Sequence, residues 1–142
     1  MKTSTRLVDL AHLRLAEVLE EGDRALDATA GNGHDTCFLA EAVGRTGQVL
    51  ALDIQDEAIG LTRVALQTRG LARRVVLTQA DHAELVDCLP RGWAGNLKAA
   101  MFNLGYLPRG VKYIATGTAS TLPALRAAIA NLCPGGMLSV IC

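Results

Sequence analysis

The stretch DATAGNGHDT, residues 27–36, decides the fold class of this chain, because it has the form of a turn between a buried strand and a helix. A short apolar run at residues 24–28 leads into it, and a helical pattern at residues 34–43 follows its two glycines. Gly31 and Gly33 would let a ligand approach the backbone closely and let the helix begin tightly. A dinucleotide-binding fingerprint has a third glycine where this chain has Thr36. The alternative interpretation is a strand-to-helix turn that binds nothing.

Outward from this loop, apolar strands alternate with helices. Further strands are predicted at residues 48–53, 74–79, 98–103 and 137–141, and further helices at residues 4–21, 56–68, 83–88 and 120–132. Asp56 is the expected N-cap of its helix, Pro123 falls in the first turn of the last helix, and Pro134 opens a turn before the last strand. Continuous apolar strands separated by helices predict an α/β, Rossmann-like fold, with a mainly parallel twisted sheet and helices on both faces.

The composition fits one domain over residues 1–142 and excludes several classes of protein. The 14 Lys and Arg residues balance the 14 Asp and Glu residues, so RNA binding would need a local basic patch. The four cysteines lack zinc-site spacing, which predicts reduced thiols and no metal. Charges throughout residues 1–23 argue against a signal peptide or a membrane span, so we expect a cytoplasmic protein.

Polar residues gather at the carboxyl ends of four predicted strands, where ligands of such sheets bind. Asp53 could accept hydrogen bonds from both hydroxyls of a ribose, assisted by Gln55, or could cap the strand end. Asp81 could accept from the exocyclic amine of an adenine. His82 could contact the same ligand or begin a helix, and the sequence favours neither.

Two carboxylates flank the glycines, and they bear on the kind of ligand. Asp27 could bind an ammonium group or hold the loop, and Asp35 opens the helix that follows. Both carboxylates would repel a pyrophosphate. A sulfonium nucleoside with an amino-acid tail fits these charges better, so S-adenosylmethionine is the expected cofactor.

The segment NLGYLP, residues 103–108, follows the fourth strand beside the expected crevice. Asn103 and neighbouring carbonyls could accept hydrogen bonds from an amine nucleophile, and Tyr106 could pack against a planar base. The alternative is a Gly- and Pro-containing turn with one tyrosine for packing.

These motifs together resemble the putative rRNA methylase family of small class I methyltransferases, and within it the MnmM (YtqB-like) tRNA methyltransferases. The resemblance covers residues 26–140, and its matching segments are DATAGNGHDTCFLAE, LALDIQDEAI, the pair Asp81-His82, FNLGYLPRG, the Thr-rich residues 116–121, and LCPGGMLSV. It implies methyl transfer from S-adenosylmethionine to the 5-aminomethyl group of a wobble 2-thiouridine in tRNA.

The resemblance also implies roles for individual residues. The methionine end of the cofactor would lie against Gly31, Asn32, Gly33 and Asp35, the ribose against Asp53 and Gln55, and the adenine against Asp81 and His82. Asn103 and Tyr106 would face the acceptor. Family members usually continue into two more strands, whereas this chain ends at Cys142. We therefore expect missing C-terminal strands and an exposed apolar fifth strand, in a fragment or in a protein whose partner, such as a second copy in a homodimer, covers that edge.

Other functions remain open at this point. A methyltransferase acting on rRNA or a small molecule is the first alternative, and a non-catalytic methyltransferase-like module is another. A nicotinamide-dependent oxidoreductase could use Asp53, but the missing third glycine and Asp35 oppose it. An RNA substrate would be favoured if several basic residues cluster, namely Arg69, Arg73, Arg74, Arg91, Arg109 and Lys112.

Overall fold

The computed structural model describes residues 6–106 and 111–142, with side chains described in these ranges except at residues 106 and 111–119. The strands are β1 (Arg24–Asp27), β2 (Gln48–Asp53), β3 (Val75–Gln79), β4 (Leu97–Asn103) and β5 (Leu132–Ile141). The helices are α1 (Leu7–Ala16), α2 (His34–Ala42), α3 (Asp56–Thr68), α4 (Leu85–Cys88) and α5 (Val111–Ala130). Short 3-10 turns lie at Ala72–Arg74, His82–Glu84 and Leu104–Tyr106.

The five strands form one sheet in the order β3-β2-β1-β4-β5, and every neighbouring pair is parallel. The strand order reverses at β1, with β2 and β3 on one side and β4 and β5 on the other. The topological switch point therefore lies between β1 and β4, and ligands of such sheets bind there, at the carboxyl ends of the strands. β5 forms one edge, with Val140 38% exposed. The α/β prediction is therefore confirmed.

Alternate strand residues face opposite sides of the sheet, and each side is covered by helices. One apolar cluster joins Ala25, Val49 and Ala99 to buried residues of α1, α2 and α3, namely Leu15, Leu39 and Leu66. The other joins Leu26, Leu50 and Phe102 to buried residues of α4 and α5, namely Leu85, Ala124 and Ala128. The continuous apolar runs of the strands follow from this burial on both faces.

Two element boundaries were predicted wrongly near the C-terminus. α5 begins at Val111, well before residue 120, and Pro123 lies inside the helix rather than in its first turn. The segment containing Pro134 lies within β5, because Leu132 pairs with Leu97 while Met137 pairs with Ala99. These pairings leave extra residues on β5, which form an irregularity in the strand instead of a turn before it.

The N-terminal helix and the start of α3 also differ from expectation. α1 ends at Ala16, short of residue 21, and its Leu7 and Leu10 are exposed. Gln55, with extended backbone angles, is the N-cap of α3, and Asp56 is its first helical residue. The N-cap prediction for Asp56 was wrong, because the preceding turn is organised by Asp53, whose Oδ1 accepts from the N–H of Gln55 at 2.9 Å. Among the helices that the structure describes, none is long and apolar enough to cross a bilayer.

Candidate functional site

The glycine loop between β1 and α2 is tightly packed against α3. Gly31 and Gly33 have positive φ angles of 57° and 91°, a region that side chains rarely adopt. A Cβ on Gly33 would lie 3.1 Å from the Cα of Thr62 and 3.3 Å from the Cβ of Ala65. The Thr62 hydroxyl donates to the carbonyl of Gly31 at 3.1 Å. The positive φ angles therefore favour glycine at both positions, and the contact with α3 leaves no room for a side chain at Gly33.

Asp27 lies beneath the loop and holds it. Its side chain is fully buried, with Oδ1 accepting from the N–H of Thr29 at 3.1 Å and Oδ2 accepting from the hydroxyl of Thr36 at 2.6 Å. Burial, and then the charge of Asp35, raise the pKa of this carboxyl to about 7, although both hydrogen bonds lower it. Of the two roles considered for Asp27, the geometry matches holding the loop.

Asp53 connects the glycine loop to the start of α3. Its Oδ2 accepts from the N–H of Gly31 at 3.0 Å, while Oδ1 accepts from the N–H of Gln55. A carboxylate oxygen has a second lone pair, so each oxygen can still accept from a ribose hydroxyl. A shallow depression lies beside this carboxylate and is lined by Gly31, Asn32, Gln55, Glu57, Ala58 and Leu61.

Asn32 is exposed in the loop, and its Oδ1 accepts from the N–H of His34 at 3.1 Å. This contact takes up the first amide of α2, which would otherwise point out of the helix N-terminus. Asn32 and Gln55, both predicted to contact the cofactor, thus lie together at the same depression.

Asp81 and His82 follow β3 but point to different surroundings. The Asp81 side chain is 28% exposed, and its Oδ1 accepts from the N–H of Ala83 at 2.9 Å. His82 is buried, and its Nε2 lies 3.2 Å from the hydroxyl of Thr121 and 3.3 Å from that of Ser120. Burial lowers the pKa of His82, which favours the neutral ring. His82 begins a 3-10 turn and packs on α5, which matches the helix-start interpretation.

Asn103 ends β4 at the switch point of the sheet. It is buried, its N–H donates to the hydroxyl oxygen of Thr29 at 2.7 Å, and its Nδ2 lies 3.4 Å from Asp35 Oδ2. Asn103 is therefore joined to both ends of the glycine loop. The side chain of Tyr106, the other residue predicted to face the acceptor, lies outside the described residues, as do residues 107–110.

Sequence reasoning missed His12, a residue of α1 that reaches the same site. Its Nε2 lies 2.7 Å from Oδ1 of Asp35, and Asp35 is only 1% exposed. The ring stacks on Phe38, with centroids 3.9 Å apart and an interplanar angle of 3°. The available signal was helical spacing, because His12 shares a face with Leu15 and Leu19, both of which are buried.

Two of the basic residues that could contribute to an RNA-binding surface, Arg69 and Arg74, contact adjacent residues near the end of α2. Arg69 pairs with Glu41 at 2.7 Å, and Arg74 donates to the carbonyl of Ala40 at 3.0 Å. Arg109 lies outside the described residues, and the side chain of Lys112 is likewise not described.

Comparison with known proteins gives consistent matches. The family described as "Putative rRNA methylase" matches residues 49–142. The chloroplastic tRNA (mnm(5)s(2)U34)-methyltransferase of Arabidopsis thaliana is 37% identical over 144 residues, which cover 96% of this chain. The chain spans 52% of that relative's length, about half.

Two solved structures share the fold over nearly the whole chain. A "putative rRNA-methylase" from Clostridium thermocellum has a TM-score of 0.84 and 39% identity, covering 96% of this chain and 72% of that one. A "putative methyltransferase" from Streptococcus mutans, in complex with SAH (S-adenosylhomocysteine), has a TM-score of 0.81 and 33% identity. It covers 97% of this chain and 73% of that one.

Proposed function

The chain belongs to the "Putative rRNA methylase" family, a family of S-adenosylmethionine-dependent methyltransferases with the class I fold, and from this we propose that it methylates tRNA. The proposed acceptor is the 5-aminomethyl group of wobble 2-thiouridine, and the product is 5-methylaminomethyl-2-thiouridine. The observation that favours this acceptor is the 37% identity, over 96% of the chain, to a relative whose name specifies that nucleoside.

The chemistry of the site fits S-adenosylmethionine. Gly31 lines the depression with backbone that carries no side chain, and a cofactor with an amino-acid tail can approach it closely. The Asp53 carboxylate, between this loop and the depression at Gln55, is suited to ribose hydroxyls. Asp81, one strand further along the sheet, is suited to the adenine amine. His82 is turned toward α5, so we propose that it supports the turn that contains Asp81.

S-adenosylmethionine supplies a methyl group on a positively charged sulfur, and the leaving thioether is neutral, so no acid is needed. In the transfer, the amine nitrogen would form a bond to the methyl carbon while the carbon–sulfur bond breaks with its electron pair on sulfur, and the nitrogen would then release one proton to water. The protein's contribution is then mainly orientation of the amine. Asn103 can provide it, because its side-chain oxygen can accept an N–H of the amine at the switch point of the sheet.

The test is methyl transfer from labelled S-adenosylmethionine to tRNA that lacks only the terminal methyl, followed by nucleoside analysis. We expect label in 5-methylaminomethyl-2-thiouridine, and none with fully modified tRNA. Asn103→Ala should lower the rate on the order of 100-fold, because orientation of the amine is lost. Asn96→Ala is the matched control, since Asn96 lies at the opposite end of β4 and its amide bonds only the nearby loop.

Other results would favour the alternatives. Label in rRNA but not in tRNA would replace the acceptor, and SAH binding without methylation of any RNA would favour a non-catalytic module.

We further propose a cytoplasmic location and a homodimer that covers the edge strand β5. Cell fractionation and sedimentation velocity test these two parts separately from the methylation.

A further inference from the structure

His12, Asp35 and Asn103 form a chain of hydrogen bonds from α1 to the end of β4. We propose that His12 is a positioning residue: it keeps the Asp35 carboxylate as a hydrogen-bond acceptor, and Asp35 thereby fixes the amide of Asn103 with Oδ1 toward the acceptor amine. The orientation toward an amine rests on the proposed methyl transfer. The hydrogen-bonded chain from His12 to Asn103 does not, and it can be tested without any substrate.

The first step is the orientation of the Asn103 amide. An ionised carboxylate only accepts hydrogen bonds, so Asp35 Oδ2, 3.4 Å away, requires the NH₂ group of Asn103 on its side. The amide oxygen then points away from Asp35. A protonated Asp35 could instead donate to the amide oxygen, and the amide would turn over and present NH₂ to the amine. The NH₂ group of Asn103 and the N–H of the amine, both donors, would then face each other.

The second step is the competition between two buried carboxyl groups. Asp27 and Asp35 are both almost fully buried, and their mutual repulsion disfavours ionisation of both together. Near neutral pH one proton can therefore reside on this pair. His12 donates to Asp35 Oδ1 at 2.7 Å, whereas Asp27 receives hydrogen bonds only from Thr29 and Thr36 among the described residues. The imidazole thus places a donor at Asp35, while burial and the charge of Asp35 raise the pKa of Asp27 and favour its neutral form.

The third step is the space beside the amide oxygen. A Cβ on the exposed Gly105 would lie 3.5 Å from Asn103 Oδ1, in van der Waals contact. The absence of a side chain at Gly105 leaves room for an incoming group at this oxygen. Oδ1 is therefore oriented by Asp35, and no side chain at Gly105 fills the space beside it.

The surroundings of His12 contain few other groups that could control its charge. On α2 it faces Asp35, the ring of His34 at a centroid distance of 5.2 Å, and the stacked ring of Phe38. On its own helix Asp9 lies one turn earlier and pairs with Arg6 at 3.2 Å. β5, which also packs on α1, contributes to their shared cleft only non-titratable residues, namely Met137, Leu138, Ser139 and Val140, and α1 itself adds Arg14 there.

The direct test is NMR of the Asn103 side-chain amide in protein labelled with ¹⁵N-asparagine, which contains only four asparagines. Asn103→Asp identifies the resonance. We compare His12→Gln, which retains an N–H donor, with His12→Phe, which retains a ring on Phe38 but no donor. Wild type and His12→Gln should share the Asn103 amide shifts from pH 6 to 8. His12→Phe should shift or broaden them, because Asp35 has lost its donor and no longer holds the Asn103 amide in one orientation.

The second test is the kinetics of tRNA methylation with the same variants. His12→Phe should lower kcat on the order of 10- to 100-fold, with KM for tRNA and Kd for SAH within about threefold of wild type. His12→Gln should restore most of kcat, because it retains an N–H donor for Asp35. Leu13→Gln, an exposed change on the same helix, controls for altered stability of α1.

The two tests separate this proposal from the proposed function. If wild type methylates no tRNA but the Asn103 resonance responds as described, the function is wrong and the positioning chain stands. If the Asn103 amide of His12→Phe matches wild type at every pH, the positioning role is overturned whatever the activity. If His12→Phe methylates at the wild-type rate, His12 serves only to pack α1.

Discussion

Asp27 should control how the stability of this protein depends on pH. Its carboxyl is fully buried, and burial together with the charge of Asp35 raises its pKa from 3.8 to about 7. Asp27→Asn removes the charge at constant shape. The amide oxygen can still accept from the N–H of Thr29, and the new NH₂ can donate to the Thr36 hydroxyl oxygen, so the loop keeps two contacts.

The size and sign of the effect follow from the two pKa values. Between pH 4 and 7 the folded chain binds more protons at Asp27 than the unfolded chain does, so the free energy of unfolding falls as pH rises. One pKa unit corresponds to about 1.4 kcal/mol, which makes the total loss ~4 kcal/mol above pH 7. Asp27→Asn lacks this loss. After ~1 kcal/mol is subtracted for the weaker Thr36 contact, the variant should be more stable than wild type by ~3 kcal/mol at pH 8.

The assay is urea unfolding from pH 4.5 to 8.5, followed by fluorescence of Trp93, the single and buried tryptophan. At pH 4.5 about 1 kcal/mol of the wild-type loss has already occurred, so the two proteins should be about equally stable there, and the advantage of the variant should grow as pH rises to 8. Asp87→Asn, at an exposed position of α4, should stay within about 0.5 kcal/mol of wild type throughout. A constant difference between Asp27→Asn and wild type at all pH values would refute the titration of Asp27.

Two further predictions concern the glycine loop. Gly33→Ala should destabilise the fold by about 1–3 kcal/mol in urea unfolding, because the new methyl group approaches Thr62 and the backbone has a positive φ. Gly60→Ala, in α3 with open space around it, should instead stabilise the fold by about 0.5–1 kcal/mol. Equal effects of the two changes would contradict the packing argument. Asp53→Ala should weaken SAH binding in calorimetry at least about 10-fold, or ~1.4 kcal/mol, and Asp53→Asn should fall between it and wild type, because one acceptor for Gly31 remains. Unchanged affinity in Asp53→Ala would exclude a contact between this carboxylate and the ribose.

The sheet could be predicted from sequence because its strands are apolar runs, and the three central ones, β1, β2 and β4, are buried on both faces. β2 was predicted with its observed ends, and β1, β3 and β4 to within a residue, since each is a continuous apolar run closed by a polar residue. The start of α5 could not be predicted, because Gly117 and its threonine neighbours are weak helix formers and Pro123 normally marks a first turn. Ala124 and Ala128 are fully buried against the sheet, and this packing overrides local preference.

The site was predictable only where it depends on strand ends. Asp27, Asp53 and Asn103 follow parallel strands, and the carboxyl ends of parallel strands necessarily share one edge. The contact between Asp35 and His12 could not be predicted in this way, because His12 precedes β1 on a helix whose position is set by tertiary packing. The turning of His82 toward α5 likewise depends on how that helix packs on the sheet, which local sequence does not determine.

The structure also changes the reason for preferring a sulfonium nucleoside over a dinucleotide at the loop. From sequence, the preference came from repulsion between a pyrophosphate and two carboxylates. In the fold, Asp27 is enclosed with a pKa of about 7 and Asp35 is bonded to His12, so less negative charge faces the crevice than the sequence suggests. Geometry provides a firmer argument. In dinucleotide-binding folds, a pyrophosphate binds to the free amides at the N-terminus of the helix that follows the glycine loop. Here the amide of His34, the first of α2, already donates to the side chain of Asn32. Asn32→Gly should therefore free that amide, and any gain in affinity for inorganic pyrophosphate in Asn32→Gly over wild type would measure how far this cap excludes phosphate.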